Sequence, residues 1–296
     1  LSQEVEEAEV VFPVNSRPKY RPAGDPEAIK EAAALLEKAE RPVIICGAGG
    51  FWSNASEALT AFAEKTGIPV SSRSYGYGIL PSSHPLAVTG GMLDSMGALM
   101  QTDLVMLLGT RLNFTLMYGQ FYGPEVKIIQ VDIEPTEIGV NRGPDVGIHG
   151  DLKLVLEQLT ESVPATPDRA WGKDSMKIIE EANKATTEAI DMNAYPIMPQ
   201  RLVRDMREVF GDDCVYVCDG GDIHLFGLEG FPSERPGSLL ATGLQFGCIG
   251  VGLPFAIAAK LANPDRNVIL LSGDGTFGLN GMEFDTAARH GIQVIS

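Results

Sequence analysis

An acidic residue between two glycines, Asp274 in the stretch LSGDGTFGLN, follows an apolar run that is typical of a buried strand. Ligands of parallel α/β sheets bind beyond the carboxyl ends of the strands, where this carboxylate falls. Gly273 and Gly275 allow a ligand to approach the backbone closely, and the amides of Gly275 and Thr276 can face a phosphate. Because a carboxylate repels phosphate, the pattern predicts a divalent cation between them. Magnesium fits, since it takes one or two carboxylates together with phosphate oxygens and water.

Two other glycine-rich turns lie in the same half of the chain, and they favour a binding site over a plain Gly-Asp-Gly turn. DGGDIHLFG ends another apolar run, and GLQFGCIGVGLP opens a helix with Gly247, Gly250 and Gly252 around Ile249. In open parallel sheets, turns at the carboxyl ends of strands form the ligand crevice. The three turns together are therefore predicted to hold a diphosphate.

A further glycine turn, CGAGGF, matches the dinucleotide-binding fingerprint only in part. Gly47 and Gly49 match its first two glycines, but Trp52 takes the position of the third, and the next strand ends in Arg73 instead of an acid. This disfavours a nicotinamide or flavin oxidoreductase. A tight strand-to-helix turn and a nucleotide resting on this part of the chain both remain open.

The elements that position these turns alternate between short apolar runs and amphipathic stretches. Asp25 and Pro26 predict a capped helix start, Asn54 and Glu57 fit a capping box, and Gly67 fits a helix end. Continuous apolar runs such as PVIIC, DLVMLLG and NVILL are typical of parallel strands covered on both faces. The predicted fold class is therefore α/β, with two doubly wound parallel-sheet domains.

The composition of the chain places the domain boundaries. We expect a linker over 1–24, a middle Rossmann-like domain over 25–160, an interdomain linker over 161–194, and a partial diphosphate- and magnesium-binding domain over 195–296. The interdomain linker is polar and contains a helix with little apolar face. The final run, IQVIS, begins a strand that the chain does not finish, so we expect a piece of a longer protein.

Charge and cysteine content exclude several classes of partner. With 23 Lys and Arg against 39 Asp and Glu, the net charge is −16, and no basic stripe is present to bind nucleic acid. No run of eighteen apolar residues predicts a membrane span. The four cysteines are dispersed, which predicts buried thiols in a reducing cytoplasm and neither disulfides nor a zinc site. They are Cys46, Cys214, Cys218 and Cys248.

Several segments of the sequence resemble the thiamine-diphosphate enzymes of the acetolactate synthase, benzaldehyde lyase and oxalyl-CoA decarboxylase group. GDGTFGLNGMEFDTAARHGIQV is similar to the first half of that family's cofactor motif, and GCIGVGLPFAIAAKLANPDRNVILLSGDG is similar to the segment before it. GTRLNFTLMYGQ and VKIIQVDIEPTEIGVN resemble the family's middle domain. The resemblance covers almost the whole chain.

The resemblance implies a role for each turn. Asp274 is expected to hold Mg²⁺, and Ile249 is expected to bend thiamine diphosphate into a V shape. In the middle domain, Arg111 and Asp132 match positions that touch a bound ADP or FAD. No catalytic residue is expected, because the family's activating glutamate belongs to an N-terminal domain. The expected cofactor-binding residues are Gly221, Asp222, Ile223, Gly247, Ile249, Gly273, Gly275 and Thr276.

The function implied is a fragment of a carbon–carbon lyase, carboligase or decarboxylase that acts on 2-oxo acids or 2-hydroxyacyl compounds, similar to acetolactate synthase. Alternatives are an enzyme similar to 2-hydroxyacyl-CoA lyase or oxalyl-CoA decarboxylase, or a non-catalytic binding paralogue. We expect a homodimeric or homotetrameric parent enzyme and no catalysis by this chain alone. Glu283 and His290 are interpreted as packing and surface residues, and the role of His224 stays open.

Overall fold

Two parallel sheets form the centre of the molecule. The computed structural model describes residues 6–7, 10–13, 19–89, 99–242 and 246–296. The strands are β1 (Pro42–Cys46), β2 (Val70–Ser72), β3 (Ala87–Val88), β4 (Leu104–Leu108), β5 (Lys127–Asp132), β6 (Val146–His149), β7 (Val215–Cys218), β8 (Leu239–Ala241) and β9 (Val268–Leu271). A six-stranded sheet has the order β3-β2-β1-β4-β5-β6, and a three-stranded sheet has the order β8-β7-β9. Every pair of neighbouring strands is parallel.

Helices connect these strands. They are α1 (Pro26–Lys38), α2 (Ala48–Trp52), α3 (Ser56–Thr66), α4 (Leu152–Ser162), α5 (Ala170–Ala189), α6 (Pro199–Phe210), α7 (Asp222–Gly230), α8 (Gly252–Ala262), α9 (Asp274–Asn280) and α10 (Glu283–Arg289). Short 3₁₀ helices occupy Ser74–Gly76, Phe114–Gly119 and Pro135–Glu137. No helix in the described part of the chain is both long enough and apolar enough to cross a membrane.

The six-stranded sheet is covered on both faces, as its continuous apolar strands predict. Ile44 and Met106 face one hydrophobic cluster, which includes α1, α3 and α4, and Ile45 and Leu107 face a second cluster on the opposite side. Alternate residues of a strand point to opposite faces, so a strand buried on both sides must be apolar throughout. The predicted α/β class with two parallel-sheet domains is confirmed.

Local signals placed two of three helix ends correctly. The Asp25 side chain accepts hydrogen bonds from the first amides of α1, and Gly67 ends α3 in the left-handed conformation with φ +63°. The capping box predicted from Asn54 and Glu57 is wrong. Asn54 itself has φ +53°, and Ala55 precedes the helix without a side-chain cap. The chain turns sharply between α2 and α3, which places Asn54 outside the capping position.

Residues in and just before β7, the central strand of the three-stranded sheet, pack on its two opposite faces. Cys214, Tyr216 and Cys218 pack with α6 and α7, while Val215 and Val217 pack with α8. This confirms that Cys214 and Cys218 share one face. All four cysteines are free thiols, but Cys248 is exposed, so the expectation that all four are buried is wrong for that residue. Cys248 lies in an outward-facing turn instead of a strand.

The segment expected to link the two sheets is largely helical. α5 buries Trp171, whose indole nitrogen donates to the carbonyl of Pro42 at 3.1 Å in the first sheet. Between the two halves, the Ser83 hydroxyl donates to the Glu234 carboxylate at 2.5 Å. At the end of the chain, Ile295 pairs in parallel with Ile269 of β9, as expected for the beginning of another strand.

Candidate functional site: three turns at one sheet edge

Two of the predicted turns are neighbours because the strands before them pair. Cys218 of β7 lies opposite Leu271 of β9 in the parallel register, and the amide of Asp219 donates to the Leu271 carbonyl at 2.9 Å. The turn that starts at Asp219 and the turn that contains Asp274 therefore leave the sheet side by side. Ile223 approaches Gly273, since a Cβ on that glycine would lie 3.8 Å from the Ile223 Cγ2 atom.

The third turn is tied to the first by a buried carboxylate. Asp219 is 2 % exposed, and its Oδ1 atom accepts from the amides of Gly220 at 2.9 Å and Gly250 at 3.2 Å. Its Oδ2 atom accepts from Gly252 at 3.0 Å, at the start of α8. Sequence analysis missed this residue. The available signal was an acid at the end of a buried strand directly before two glycines.

Ile249 lies directly before Gly250, one of the glycines whose amides Asp219 holds. The side chain is 49 % exposed and rests against Gly220, where any Cβ atom would overlap it. Gly250 has φ +83°, a conformation that favours glycine because it lacks a Cβ atom. The exposed apolar side chain is thus supported from below by the backbone of the neighbouring turn. It can present a firm apolar surface to a ligand.

Asp274 begins α9 and is exposed. Its carboxylate makes no hydrogen bond or ion pair with the described residues, so it is available to a cation. The Thr276 side chain instead turns inward, is buried, and donates to the Gly273 carbonyl at 2.9 Å. No group of three or more His, Cys, Asp or Glu side chains within the described ranges could hold a metal ion. Phosphate oxygens and water are ligands that magnesium commonly takes beside one or two carboxylates.

The remaining predicted residues border open space at the same edge. A Cβ atom at Gly221, Gly247 or Gly275 would meet no other atom within 4 Å. Gly221 and Gly247 also have left-handed backbone conformations, with φ +79° and φ +67°. Asp222 is exposed at the first position of α7. The structure thus leaves uncovered backbone on all three turns, which is the surface that a diphosphate requires.

His224, whose role the sequence left open, is buried beneath the start of α7. It is 3 % exposed, and its Nδ1 atom lies 3.0 Å from the carbonyl of Cys218. A carbonyl only accepts, so Nδ1 carries the proton, and Nε2 is buried without a partner among the described residues. Burial lowers the pKa of His224 below its ordinary 6.5, against opposite effects of the Cys218 carbonyl and Asp219. The ring is neutral at pH 7 and supports the turn from below.

Protonation of His224 is expected to destabilise the fold in acid. Below about pH 6.5 the His224 side chain binds a proton in the unfolded chain but not yet in the folded chain. The free energy of unfolding therefore decreases as the pH is lowered, until the pKa of His224 in the folded chain is reached. His224→Asn keeps a donor for the Cys218 carbonyl and cannot titrate. Urea unfolding between pH 7.5 and pH 5 should show a shallower fall for the variant, the difference in slope not exceeding about 1.4 kcal/mol per pH unit. Parallel curves would contradict this assignment.

A pocket of about 520 Å³ lies at the carboxyl ends of the six-stranded sheet. The strand order reverses between β1 and β4, and such switch points bind ligands in open α/β sheets. Arg111 and Asp132 both line the pocket. Arg111 forms an ion pair with Glu137 at 2.9 Å and not with Asp132. Burial raises the pKa of Asp132, although the amide of Glu134 and the Arg111 charge act in the opposite direction.

Glu283 and His290, which the sequence analysis interprets as packing and surface residues, lie outside the three turns. Glu283 is half-buried at the start of α10, and His290 is exposed just beyond its end. α10 contacts α8, and Ala287 of α10 is buried. Neither titratable side chain forms part of the three turns that meet at the edge of the three-stranded sheet.

Comparison with known proteins matches both halves of the chain to one group of family profiles. Residues 29–159 match the profile "Thiamine pyrophosphate enzyme, central domain", and residues 219–296 match "Thiamine pyrophosphate enzyme, C-terminal TPP binding domain". Thiamine pyrophosphate is another name for thiamine diphosphate. Together the two profiles cover more than half of the chain.

Curated relatives carry two kinds of name. A probable acetolactate synthase large subunit of Methanocaldococcus jannaschii is 34% identical over 319 residues, which cover 100% of this chain and 53% of the relative. Acetolactate synthase isozyme 1 large subunit of Escherichia coli is 32% identical, with 96% and 51% covered. 2-Hydroxyacyl-CoA lyase 1 of Homo sapiens is 34% identical, with 90% and 48% covered. The chain spans about half the length of the curated relatives it matches.

Proposed function

Because this chain belongs to the family of thiamine-diphosphate-dependent enzymes, we propose that it is part of an enzyme that breaks or forms a carbon–carbon bond beside a carbonyl group. The proposed substrates are 2-oxo acids or 2-hydroxyacyl compounds, as in an acetolactate synthase. The chain contributes the middle domain and part of the cofactor-binding domain, over residues 25–160 and 195–296. The observation that supports this proposal is the meeting of three open glycine turns around one free carboxylate.

The residues present fit thiamine diphosphate and magnesium. The open backbone at Gly221, Gly247 and Gly275 leaves room for phosphate oxygens. Asp274 supplies one carboxylate, which is the number that magnesium commonly takes when a substrate phosphate is a further ligand. The exposed side chain of Ile249 supplies an apolar support between the turns. Uncovered amides and one carboxylate suit a diphosphate with its magnesium ion, and one apolar support suits the faces of the aromatic rings attached to it.

Each residue in this assignment has a separate task. Thiamine diphosphate, when bound, supplies the electron sink for the bond that breaks. Asp274 holds the magnesium ion, and the amides of Gly275 and Thr276 face the diphosphate. Gly221, Asp222 and Ile223 line the opposite side, Gly247 and Gly273 leave room for it, and Ile249 fixes the bend of the cofactor. This chain therefore binds and orients the cofactor, and no residue in it is assigned a proton transfer.

Binding can be tested directly on the chain labelled with ¹⁵N-glycine. Adding thiamine diphosphate with Mg²⁺ should shift the amide signals of Gly221, Gly247 and Gly275, while the signal of the distant Gly143 stays unchanged. With EDTA, or with thiamine that lacks phosphates, the shifts should disappear, because the metal joins the carboxylate to the phosphates. Unchanged signals at all three glycines at saturating cofactor and magnesium would show that the proposal is wrong.

A second proposal concerns the pocket at the switch point. We propose that it holds a nucleotide, either ADP or FAD, with the ribose near Asp132 and a phosphate near Arg111. The raised pKa of Asp132 and the pocket's position support this proposal. Titrating ADP and FAD into the chain should give binding that Asp132→Asn weakens. Equal heats of binding for the wild-type chain and the Asp132→Asn variant would contradict the role of Asp132.

The two groups of relatives suggest different substrates for the whole protein. An acetolactate synthase-like parent should convert 2-oxo acids, whereas a parent similar to 2-hydroxyacyl-CoA lyase should cleave 2-hydroxyacyl-CoA thioesters. Supplying both substrate classes to the full-length protein and identifying the products would decide between them. The predicted homodimer or homotetramer also stays a prediction for the full-length protein.

A further inference from the structure

Gly250 is the point at which the three turns of the site are joined. Its amide donates to Asp219, which follows β7, at 3.2 Å. Its carbonyl accepts from the side-chain amide of Asn280, in the helix that Asp274 begins, at 2.5 Å. The amide and the carbonyl of Gly250 are therefore held by residues of two other elements, the turn after β7 and the end of α9. Whatever fixes Gly250 also fixes the neighbouring Ile249.

Both oxygens of the Asp219 carboxylate accept hydrogen bonds from backbone amides. Its Oδ1 atom accepts from the amides of Gly220 and Gly250, and its Oδ2 atom accepts from the amide of Gly252. No cationic side chain in the described structure forms an ion pair with it. Each of the two oxygens is thus required, because amides that lack an acceptor at a buried position cost free energy.

The packing around Asp219 is as specific as its hydrogen bonds. A Cβ atom on Gly252 would lie 2.5 Å from the Asp219 Cβ atom, so the start of α8 approaches the Asp219 side chain more closely than a residue with a Cβ atom permits. The Gly250 amide is 31 residues away in sequence, and the Gly252 amide is 33 residues away. A single side chain thereby brings together two distant segments at the edge of the sheet.

We propose that Asp219 is a positioning residue that sets the Gly247–Gly252 turn, and with it Ile249, before the cofactor binds. The proposal rests on the proposed function of this site. The turn needs help to hold its shape, because Gly247 and Gly250 have φ +67° and φ +83° and glycine is the most flexible residue. A turn that is already ordered loses less conformational entropy on binding, which increases affinity. Asp219 makes no contact with the cofactor in this role.

The substitution Asp219→Asn tests the proposal most directly. Asp219→Asn keeps the shape but replaces one oxygen with an NH₂ group, which must then face a backbone N–H. With Mg²⁺ present, thiamine diphosphate should bind to the variant about tenfold or more weakly, the loss expected for one hydrogen bond to a charged group. In the cofactor-free variant, the amides of Gly250 and Gly252 should exchange with deuterium faster than in the wild type. Asp265→Asn, an exposed change of the same kind in the same half of the chain, should alter neither property.

The two readouts separate the two proposals. If wild-type chain does not bind thiamine diphosphate while Asp219→Asn still speeds exchange at Gly250 and Gly252, the proposed function fails but Asp219 is confirmed as the residue that sets the turn. Equal affinity and equal exchange in a folded variant would overturn the positioning role. If the variant does not fold, exchange in the wild type decides, because Gly250 and Gly252 should exchange more slowly than the exposed amide of Gly247. Equal rates at the three glycines would again overturn the proposal.

Discussion

Replacing Asp274 with asparagine is expected to weaken magnesium-dependent binding of thiamine diphosphate by at least about 100-fold. Loss of a residue that only supports a metal ligand typically costs 10- to 100-fold in affinity, so the loss of the ligand itself should cost at least the upper end of that range. The carboxylate is exposed and bonds to no described residue, so the change should leave the fold intact. Titration of the cofactor at a fixed magnesium concentration, with a melting curve for each protein, measures both effects.

Glu283→Gln provides a matched control for Asp274→Asn. It removes one negative charge from the next helix, outside the three turns. The cofactor affinity should stay within about twofold of the wild type, because solvent and salt screen a charge that lies outside the site. If both variants bound equally weakly, general electrostatics would explain the effect. If Asp274→Asn bound like the wild type, Asp274 would not be the metal ligand.

Replacing Gly109 with alanine is expected to destabilise the first domain by about 3 kcal/mol. Gly109 has φ +55°, and a Cβ atom there would lie 2.5 Å from the Gly49 Cα atom. The two glycines lie in the neighbouring turns that follow β4 and β1. The left-handed conformation costs a residue with a Cβ atom roughly 1–2 kcal/mol, and overpacking costs a similar further amount. The atoms that this Cβ would meet all belong to the Gly49 backbone, so no side-chain rotation relieves the overlap. Urea unfolding measures the loss.

Gly143→Ala is the matched control in the same domain. A Cβ atom at Gly143 meets nothing within 4 Å, and its backbone conformation suits any residue, so the free energy of unfolding should change by no more than about 0.5 kcal/mol. Equal effects of the two substitutions would mean that the domain relaxes around position 109. In that case the close approach of the Gly49 and Gly109 backbones would not be what requires glycine in the CGAGGF turn.

The sequence determined the elements whose signals are local. Continuous apolar runs such as residues 42–46 and 104–108 predicted buried parallel strands, because a strand covered on both faces cannot carry polar residues. Asp25 and Gly67 predicted a helix start and a helix end, since capping depends on neighbouring residues alone. The Gly-Asp-Gly pattern likewise predicted an exposed carboxylate at the end of β9, because the pattern and the apolar run before it are both local.

The tertiary structure alone decided which distant residues act together. Asp219 holds amides more than thirty residues away, and Arg111 pairs with Glu137 instead of Asp132. The sequence around Asp219 marks an acid at a strand end, but it does not identify the distant amides that the acid holds. Cys248 is exposed although cysteine is usually buried, because the turn that carries it faces outward. Local propensity acts over a few residues, whereas a site at a sheet edge depends on strand order. That order is settled by the packing of the whole domain.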